Sequence, residues 1–212
     1  MPDSQVAFLS GSLSLQGVLH IPVGDGPVPG VVVCHPHPHM GGSMQNNVVI
    51  ACCYGLVNQG IAALRFNFRG IGESQGISEA GDAEIADAIA ALDFLRSVEL
   101  INKASLGVAG YSFGASLALE VATRVESLGA IGIIACPAPQ LNEMSSRNLD
   151  LPKMFISGDI DQAVPADQFK AVTERFSEPK EIHSLRGADH FLWGHEGEIS
   201  ELLGSFFKRW LF

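Results

Sequence analysis

The chain has 212 residues, 47% hydrophobic and 17% charged, with a formal net charge of -10 and a pI near 5.0. That apolar share over that length builds a sizeable core and excludes a disordered chain. The acidic balance, with no cluster of Lys and Arg, excludes a nucleic-acid partner, and no apolar run approaches the ~18 residues of a membrane span.

The first ten residues, MPDSQVAFLS, carry neither the basic nor the apolar region of a secretory signal, so a cytoplasmic protein without a membrane anchor is expected. Gln5 to Leu9 and Leu13 to Ile21 read as two strands joined by a turn at Ser10-Gly11-Ser12, an antiparallel hairpin. Residues 22 to 30, PVGDGPVPG, form a loop by their prolines and glycines. Val31 to Cys34 is a continuous apolar run, the pattern of a strand buried on both faces of a parallel sheet. HPHPHMGGSMQNN follows, then a helix over about residues 47 to 58 that Gly60 ends.

Ile61 to Phe68 is the next strand and RGIGESQG a glycine-rich loop, in which Arg69 and Ser74 are expected to brace the chain. It lacks the spacing and the lysine of a phosphate-binding loop. Asp82 to Val98 is an amphipathic helix with Ile85, Ile89, Leu92 and Leu95 on one face, and Asp82, Glu84 and Asp87 suit its N-terminal dipole. Strands then read at Ala104 to Ala109, Leu128 to Cys136, Lys153 to Ser157 and Lys180 to Leu185. Helices read at Ala115 to Arg124, Ala166 to Phe176 and about Glu196 to Trp210, the last with Ile199, Leu202, Leu203, Phe206 and Trp210 as core contacts. Past the hairpin, strands and helices alternate, which gives an α/β fold: a mostly parallel sheet with helices on both faces, in one domain spanning residues 1 to 212. Cys52 and Cys53 are adjacent on a helix, and Cys34 and Cys136 lie on buried strands, so four reduced thiols are expected.

The chemistry centres on Gly110-Tyr111-Ser112-Phe113-Gly114. A Gly-x-Ser-x-Gly turn between a strand and a helix strains the serine backbone and lifts its hydroxyl clear of the sheet. The plainer reading is a helix start with Ser112 as its cap. A serine hydroxyl is a weak nucleophile that needs a base, and the base an acid to orient it. In the chain order Ser, Asp, His, Ser112 is followed by two acids at a strand end, Asp159 and Asp161, and then by two histidines, His190 and His195. Both acids could instead cap a turn, and a lone histidine is more often structural.

Four stretches carry a family resemblance: HPHPHMGG, NFRGIGESQG, GYSFGA, and GDIDQAVP with GADHF, together spanning residues 35 to 191. The chain resembles the α/β-hydrolase superfamily, and within it the small lidless serine hydrolases related to dienelactone hydrolases and bacterial esterases. The resemblance implies an eight-stranded sheet with an antiparallel second strand. The family pattern Gly-x-x-Asp-x-x-Val-Pro falls on Gly158, Asp161, Val164 and Pro165, and Gly-x-x-His-Phe falls on Gly187, His190 and Phe191. The implied triad is therefore Ser112, Asp161 and His190. Dienelactone hydrolases themselves typically carry cysteine where Ser112 stands.

Alternating histidines in HPHPH also fit a zinc site, but no further ligand follows at close spacing and the prolines splay the neighbouring side chains. No metal and no cofactor is expected. An oxyanion hole takes one N–H from the residue after the nucleophile, Phe113, and one from the loop after the third strand. Pro36 and Pro38 have no N–H, leaving His37 or His39; position in the family pattern favours His37, although Pro36 replaces the glycine found in many relatives. Lids in this superfamily are inserted after the sixth strand, where residues 137 to 152 leave room for one short helix at most. An open, shallow cleft is expected, rimmed by Met40, Phe113, Phe191 and Trp193. The implied activity is hydrolysis of carboxylic esters with short acyl chains. Thioesters, lactones and small peptides are alternatives on the same triad, and a non-catalytic binding module is the alternative outside enzymes.

Overall fold

The computed structural model describes residues 3–24 and 26–212. The first two residues of the N-terminal segment and position 25 of the loop over residues 22 to 30 lie outside the described residues. The chain enters through a hairpin of β1 (Asp3–Ser10) and β2 (Leu13–His20), whose register is unbroken from Asp3 opposite His20 to Ser10 opposite Leu13. β3 (Val28–Cys34), β4 (Ala62–Phe66), β5 (Ile101–Tyr111), β6 (Ala130–Ile134), β7 (Lys153–Gly158) and β8 (Lys180–Leu185) follow. They form one eight-stranded sheet in the order β1-β2-β4-β3-β5-β6-β7-β8. β2 runs antiparallel to β1 and β4; β3 to β8 are parallel.

Among the described residues six α-helices accompany the strands: α1 (Asn47–Asn58), α2 (Asp82–Ser97), α3 (Phe113–Arg124), α4 (Ala138–Met144), α5 (Ala166–Thr173) and α6 (Glu196–Leu211). The central strands read as unbroken apolar runs because both faces are covered. On β3, Val31 and Val33 pack under α1 and α6, while Val32 and Cys34 pack under the layer that holds α2 to α5. No helix among the described residues is long and apolar enough to cross a membrane.

From β3 the chain crosses to β4 on one side and then returns to β5 on the other. Loops at the carboxyl ends of two such strands diverge and leave a crevice between them. The loop after β3 is HPHPHMGG and the turn after β5 is the Ser112 elbow, so the order of pairing puts both beside one crevice.

One expectation changes in the helices and another is extended. Trp210 is not core: it is 40% exposed, and Phe207, fully buried, faces the sheet instead. Phe207 lies four residues beyond Leu203 and continues its stripe, while Trp210 falls past the sheet's cover. Glu84 and Asp87 do more than suit the dipole: both are fully buried and turned onto loops. Asp87 receives the Arg69 amide and a bidentate Arg69 guanidinium pair at 3.0 and 2.7 Å. Ser74 accepts from the Gln16 amide and donates to the Asn67 carbonyl, so Arg69 and Ser74 do brace the loop.

α1 and α6 touch backbone to backbone. A Cβ on Gly55 would lie 2.1 Å from the Ser200 carbonyl oxygen, and one on Gly204 would lie 2.3 Å from the Gly55 carbonyl oxygen. Neither obstacle is a side chain that can turn aside. Gly55→Val should therefore push the helices apart at a cost of about 3 kcal/mol. A urea midpoint equal to wild type would show that the contact can relax.

Candidate active site

β5 delivers the elbow. Ser112 has φ 55° and ψ -116°, outside the regions a serine adopts freely, and its hydroxyl makes no capping bond to α3. The helix-cap reading of Ser112 is therefore not what the structure has. The turn is held by backbone contact: a Cβ at Gly110 would meet the Gly114 carbonyl oxygen at 2.0 Å, and one at Gly114 would meet the Cys34 carbonyl oxygen at 2.4 Å. The second contact presses the elbow against the end of β3. The amide of Ser112 donates to the Ile134 carbonyl of β6, which fixes the turn from the other side.

β7 and β8 deliver the other two side chains. The Ser112 Oγ lies 3.0 Å from His190 Nε2, and His190 Nδ1 lies 2.8 Å from Asp161 Oδ2. Asp161 is fully buried at its side chain, and its Oδ1 accepts the amides of Ala163 and Val164 at 2.8 and 3.0 Å. Two backbone donors compensate the buried carboxylate and set its plane. Its lone pairs toward His190 orient the ring so that Nε2 can receive the serine proton. The chemistry this permits is general-base delivery of a serine oxygen to an electrophilic carbon.

Asp159, the rival acid, does something else. Its Oδ1 accepts the Gly187 amide at 2.6 Å, while the Ile160 amide donates to the Ala188 carbonyl. The acid loop and the histidine loop are thereby stitched together just behind His190. His195 faces Glu198 of its own helix at 3.5 Å and does not meet Ser112.

One contributor was not read from the sequence. Tyr111 is buried, and its hydroxyl donates to the His190 carbonyl at 2.7 Å, tying the elbow to the histidine loop. The pattern Gly-x-Ser leaves x free, so only the fold reveals this contact. Burial pushes the Tyr111 phenol well above its ordinary range, and the nearby Asp161 and Asp189 charges add to it, so it stays a donor.

Each histidine of HPHPH has a task. His35 is fully buried; its Nδ1 meets the Pro36 carbonyl at 2.6 Å and its Nε2 accepts the Phe68 amide at 3.1 Å. That pair of partners defines a neutral ring with hydrogen on Nδ1. His37 heads the single 3-10 turn Pro38–Met40, and its Nδ1 accepts the His39 amide. His39 reaches across to the Ser78 carbonyl at 3.2 Å. That carbonyl opens the 78–81 loop, which wraps the buried Glu84 carboxylate through the Ser78 hydroxyl and the amides of Glu79, Ala80 and Gly81. Among the described residues neither the His37 nor the Phe113 amide donates to another group, and their rings lie 5.1 Å apart.

The cleft over Ser112 has a volume of about 550 Å³. Met40 and Phe113 line it, and Phe191 lines a smaller hollow on the other side of His190. Trp193, expected at the rim, is 69% exposed and lines neither cavity. It stands three residues past His190 in a turn whose Leu192 points inward instead, fully buried. Between β6 and β7 the sole helix is the seven-residue α4.

Residues 15–201 match the dienelactone hydrolase family. An α/β serine hydrolase homologue from Coxiella burnetii superposes with a TM-score of 0.87 at 30% identity, covering 97% of each chain. A serine hydrolase without a lid from Xanthomonas campestris superposes with a TM-score of 0.83 at 28% identity, over all of this chain and 97% of that one. The esterase EstD of Thermotoga maritima is 31% identical over 140 residues, 64% of this chain and 33% of its own length.

Two outcomes follow from the geometry. Asp161→Asn should lower kcat by about 10⁴-fold, as loss of the orienting acid does elsewhere, while Asp159→Asn keeps an acceptor for Gly187 and most of the rate; the reverse ranking would reassign the acid. His35 supplies a pH dependence of stability. Burial is the main cause that lowers its pKa to about 4, below the ~6.5 of an unfolded histidine. The unfolded chain then binds the extra proton first, so this contribution is whole above ~6.5 and is lost as pH falls toward 4. Urea unfolding at graded pH should show His35→Gln flattening that slope, and an unchanged slope would exclude His35 as its source.

Proposed function

The chain belongs to the dienelactone hydrolase family and is a hydrolase, and from that premise we propose that it is a serine esterase, cleaving carboxylic esters of short acyl chains through an acyl-enzyme. The observation that carries the reading is the unbroken relay from Ser112 Oγ through His190 to Asp161, at 3.0 and 2.8 Å, on a strained elbow. Ser112 attacks the ester carbonyl while His190 takes its proton at Nε2. His190 then hands that proton to the departing alkoxide. Water repeats the sequence on the acyl-enzyme and frees the acid.

The amides of Phe113 and His37 are assigned to the carbonyl oxygen as it gains charge. Both residues line the cleft with Ser112, and neither amide is engaged elsewhere among the described residues. The pressure of Gly114 on the end of β3 brings the two loops together. No step in this sequence needs a metal or an organic cofactor. The substrate is a small molecule: the cleft is bounded by fixed loops, and a surface of net charge -10 repels nucleic acid. All four cysteines are free and buried, which suits a reducing cytoplasm.

The short-chain preference rests on the cleft's walls. Met40, Ile85, Phe113 and Leu117 give an apolar lining near Ser112, while Asp82 and Glu120 make the far end charged. Each methylene that reaches past the apolar part forgoes up to ~0.8 kcal/mol.

Ser112→Ala should abolish labelling by a fluorophosphonate probe and lower kcat on p-nitrophenyl acetate by about 10⁶-fold with the fold intact. Labelling that survives the substitution, or a loss below tenfold, would overturn the assignment of the nucleophile.

A further inference from the structure

Two cavities of unequal size adjoin at Ser112. Ser112, His190, His37 and Met40 line both. The larger, about 550 Å³, runs along α3 toward α2 and α4. The smaller, about 130 Å³, lies between Phe191 and the 36–42 loop, with Tyr111 at its wall. An ester carries two substituents on its reacting group, and the two cavities sort them by size.

α3 acts as a ruler for the larger one. Phe113, Ser116, Leu117 and Glu120 line it, at the three- and four-residue spacings of one helix face. At ~1.5 Å per residue, Leu117 lies ~6 Å and Glu120 ~10 Å beyond Phe113 along the axis. An extended chain advances about 1.2 Å per bond, so Leu117 accompanies about the fifth bond of a substituent and Glu120 about the ninth. Across from Leu117 is Ile85, also buried. Glu120 is held at 3.5 Å by both Arg124 and Arg147, which keeps it in place as the polar end of an apolar channel.

We propose that the cavity along α3 holds the acyl group and the smaller cavity the alcohol, so that the preferred substrate is an ester of a one- to three-carbon alcohol with an uncharged acyl chain of about six carbons. This rests on the serine-esterase reading and adds the assignment of its two sides. His190 lines both cavities, so its proton reaches an alcohol on either side, and what separates the two sides is size and how long each group must stay. The acyl group has to stay through both half-reactions. In the first, the bond from Ser112 Oγ to the carbonyl carbon forms, the bond from that carbon to the alcohol oxygen breaks, and the serine proton leaves with the alcohol by way of His190. In the second, water enters the vacated smaller cavity and bonds to the carbon, the bond from that carbon to Ser112 Oγ breaks, and the proton from water passes through His190 to Oγ as the acid leaves. A long acyl arm on α3 leaves that entry open, whereas an arm in the smaller cavity blocks it.

The test is a pair of isomers, ethyl hexanoate and hexyl acetate, with acid release followed by titration. They have the same atoms and differ only in which side of the ester is long. Ethyl hexanoate should have the higher kcat/KM by about tenfold or more, the scale on which a pocket discriminates a few methylenes. Leu117→Trp, which fills the α3 cavity, should bring the ratio of the two values toward one. Because Leu117 is buried, Ser116→Phe is the parallel variant at a half-exposed position of the same wall. Monoethyl adipate, whose acyl end is anionic, should fall below ethyl hexanoate, and Glu120→Gln should narrow that gap. Equal or faster turnover of hexyl acetate overturns the assignment of sides, and so does a ratio that neither wall variant changes. Failure of the esterase reading looks different: neither isomer is hydrolysed at all, and the inference falls with it.

Discussion

Backbone pressed on backbone at Gly110 and Gly114 is the constraint from which the rest of the site follows. No side chain fits between the elbow's two limbs or between the elbow and the end of β3. A turn that tight forces the residue at its apex into positive φ, and Ser112 sits there at 55°. The strain is carried by β5, which is paired on both edges by β3 and β6 at the middle of the sheet. A peripheral strand would yield; a central one holds. The same approach brings the amide of Phe113 toward the loop after β3.

Around that fixed serine, the remaining groups are delivered by loops that hold one another. The His190 loop is tied at three successive points: at Gly187 by Asp159, at Ala188 by the Ile160 amide, and at His190 itself by Tyr111. On the opposite side, His35 ties the loop after β3 to the loop after β4, and His39 carries the tie on to Ser78 and the Glu84 cradle. Buried polar groups of this kind are costly unless fully partnered, and here each has its partners. The polar network therefore serves position: it sets where a few atoms stand to within a hydrogen-bond length.

Much of this was legible in the residues, for identifiable reasons. Strands β3, β6 and β7 declared themselves as apolar runs because both faces of a central strand are covered. The elbow was legible because strained turns admit few residue types. Choosing Asp161 over Asp159 was not possible from composition, since both follow the same strand, and it took the family's spacing to separate them. The structure adds what Asp159 does. The loop-holding work of Glu84 and Asp87 was not legible because a carboxylate in the first half of a helix looks the same in sequence whether it faces water or a loop folded over it. Trp210 and Phe207 exchanged places because helical periodicity gives a face but not where the sheet beneath it ends. Tyr111 was invisible because its partner is a main-chain carbonyl 79 residues away.

The seven-residue α4 is all the helix that stands between β6 and β7. A hydrolase with a mobile cap can exclude bulk solvent once its substrate is bound; this crevice is walled by loops and by faces of α2, α3 and α4 that belong to the sheet's own cover. On the serine-esterase reading, solvent would reach the acyl-enzyme throughout its lifetime, and so would any small alcohol dissolved in it. An alcohol that enters where the first one left meets the same base and the same carbon, so hydrolysis and acyl exchange compete in proportion to the two concentrations and nucleophilicities. On that reading, water rich in short alcohols would turn such a site into a transesterifying catalyst without any change to its residues.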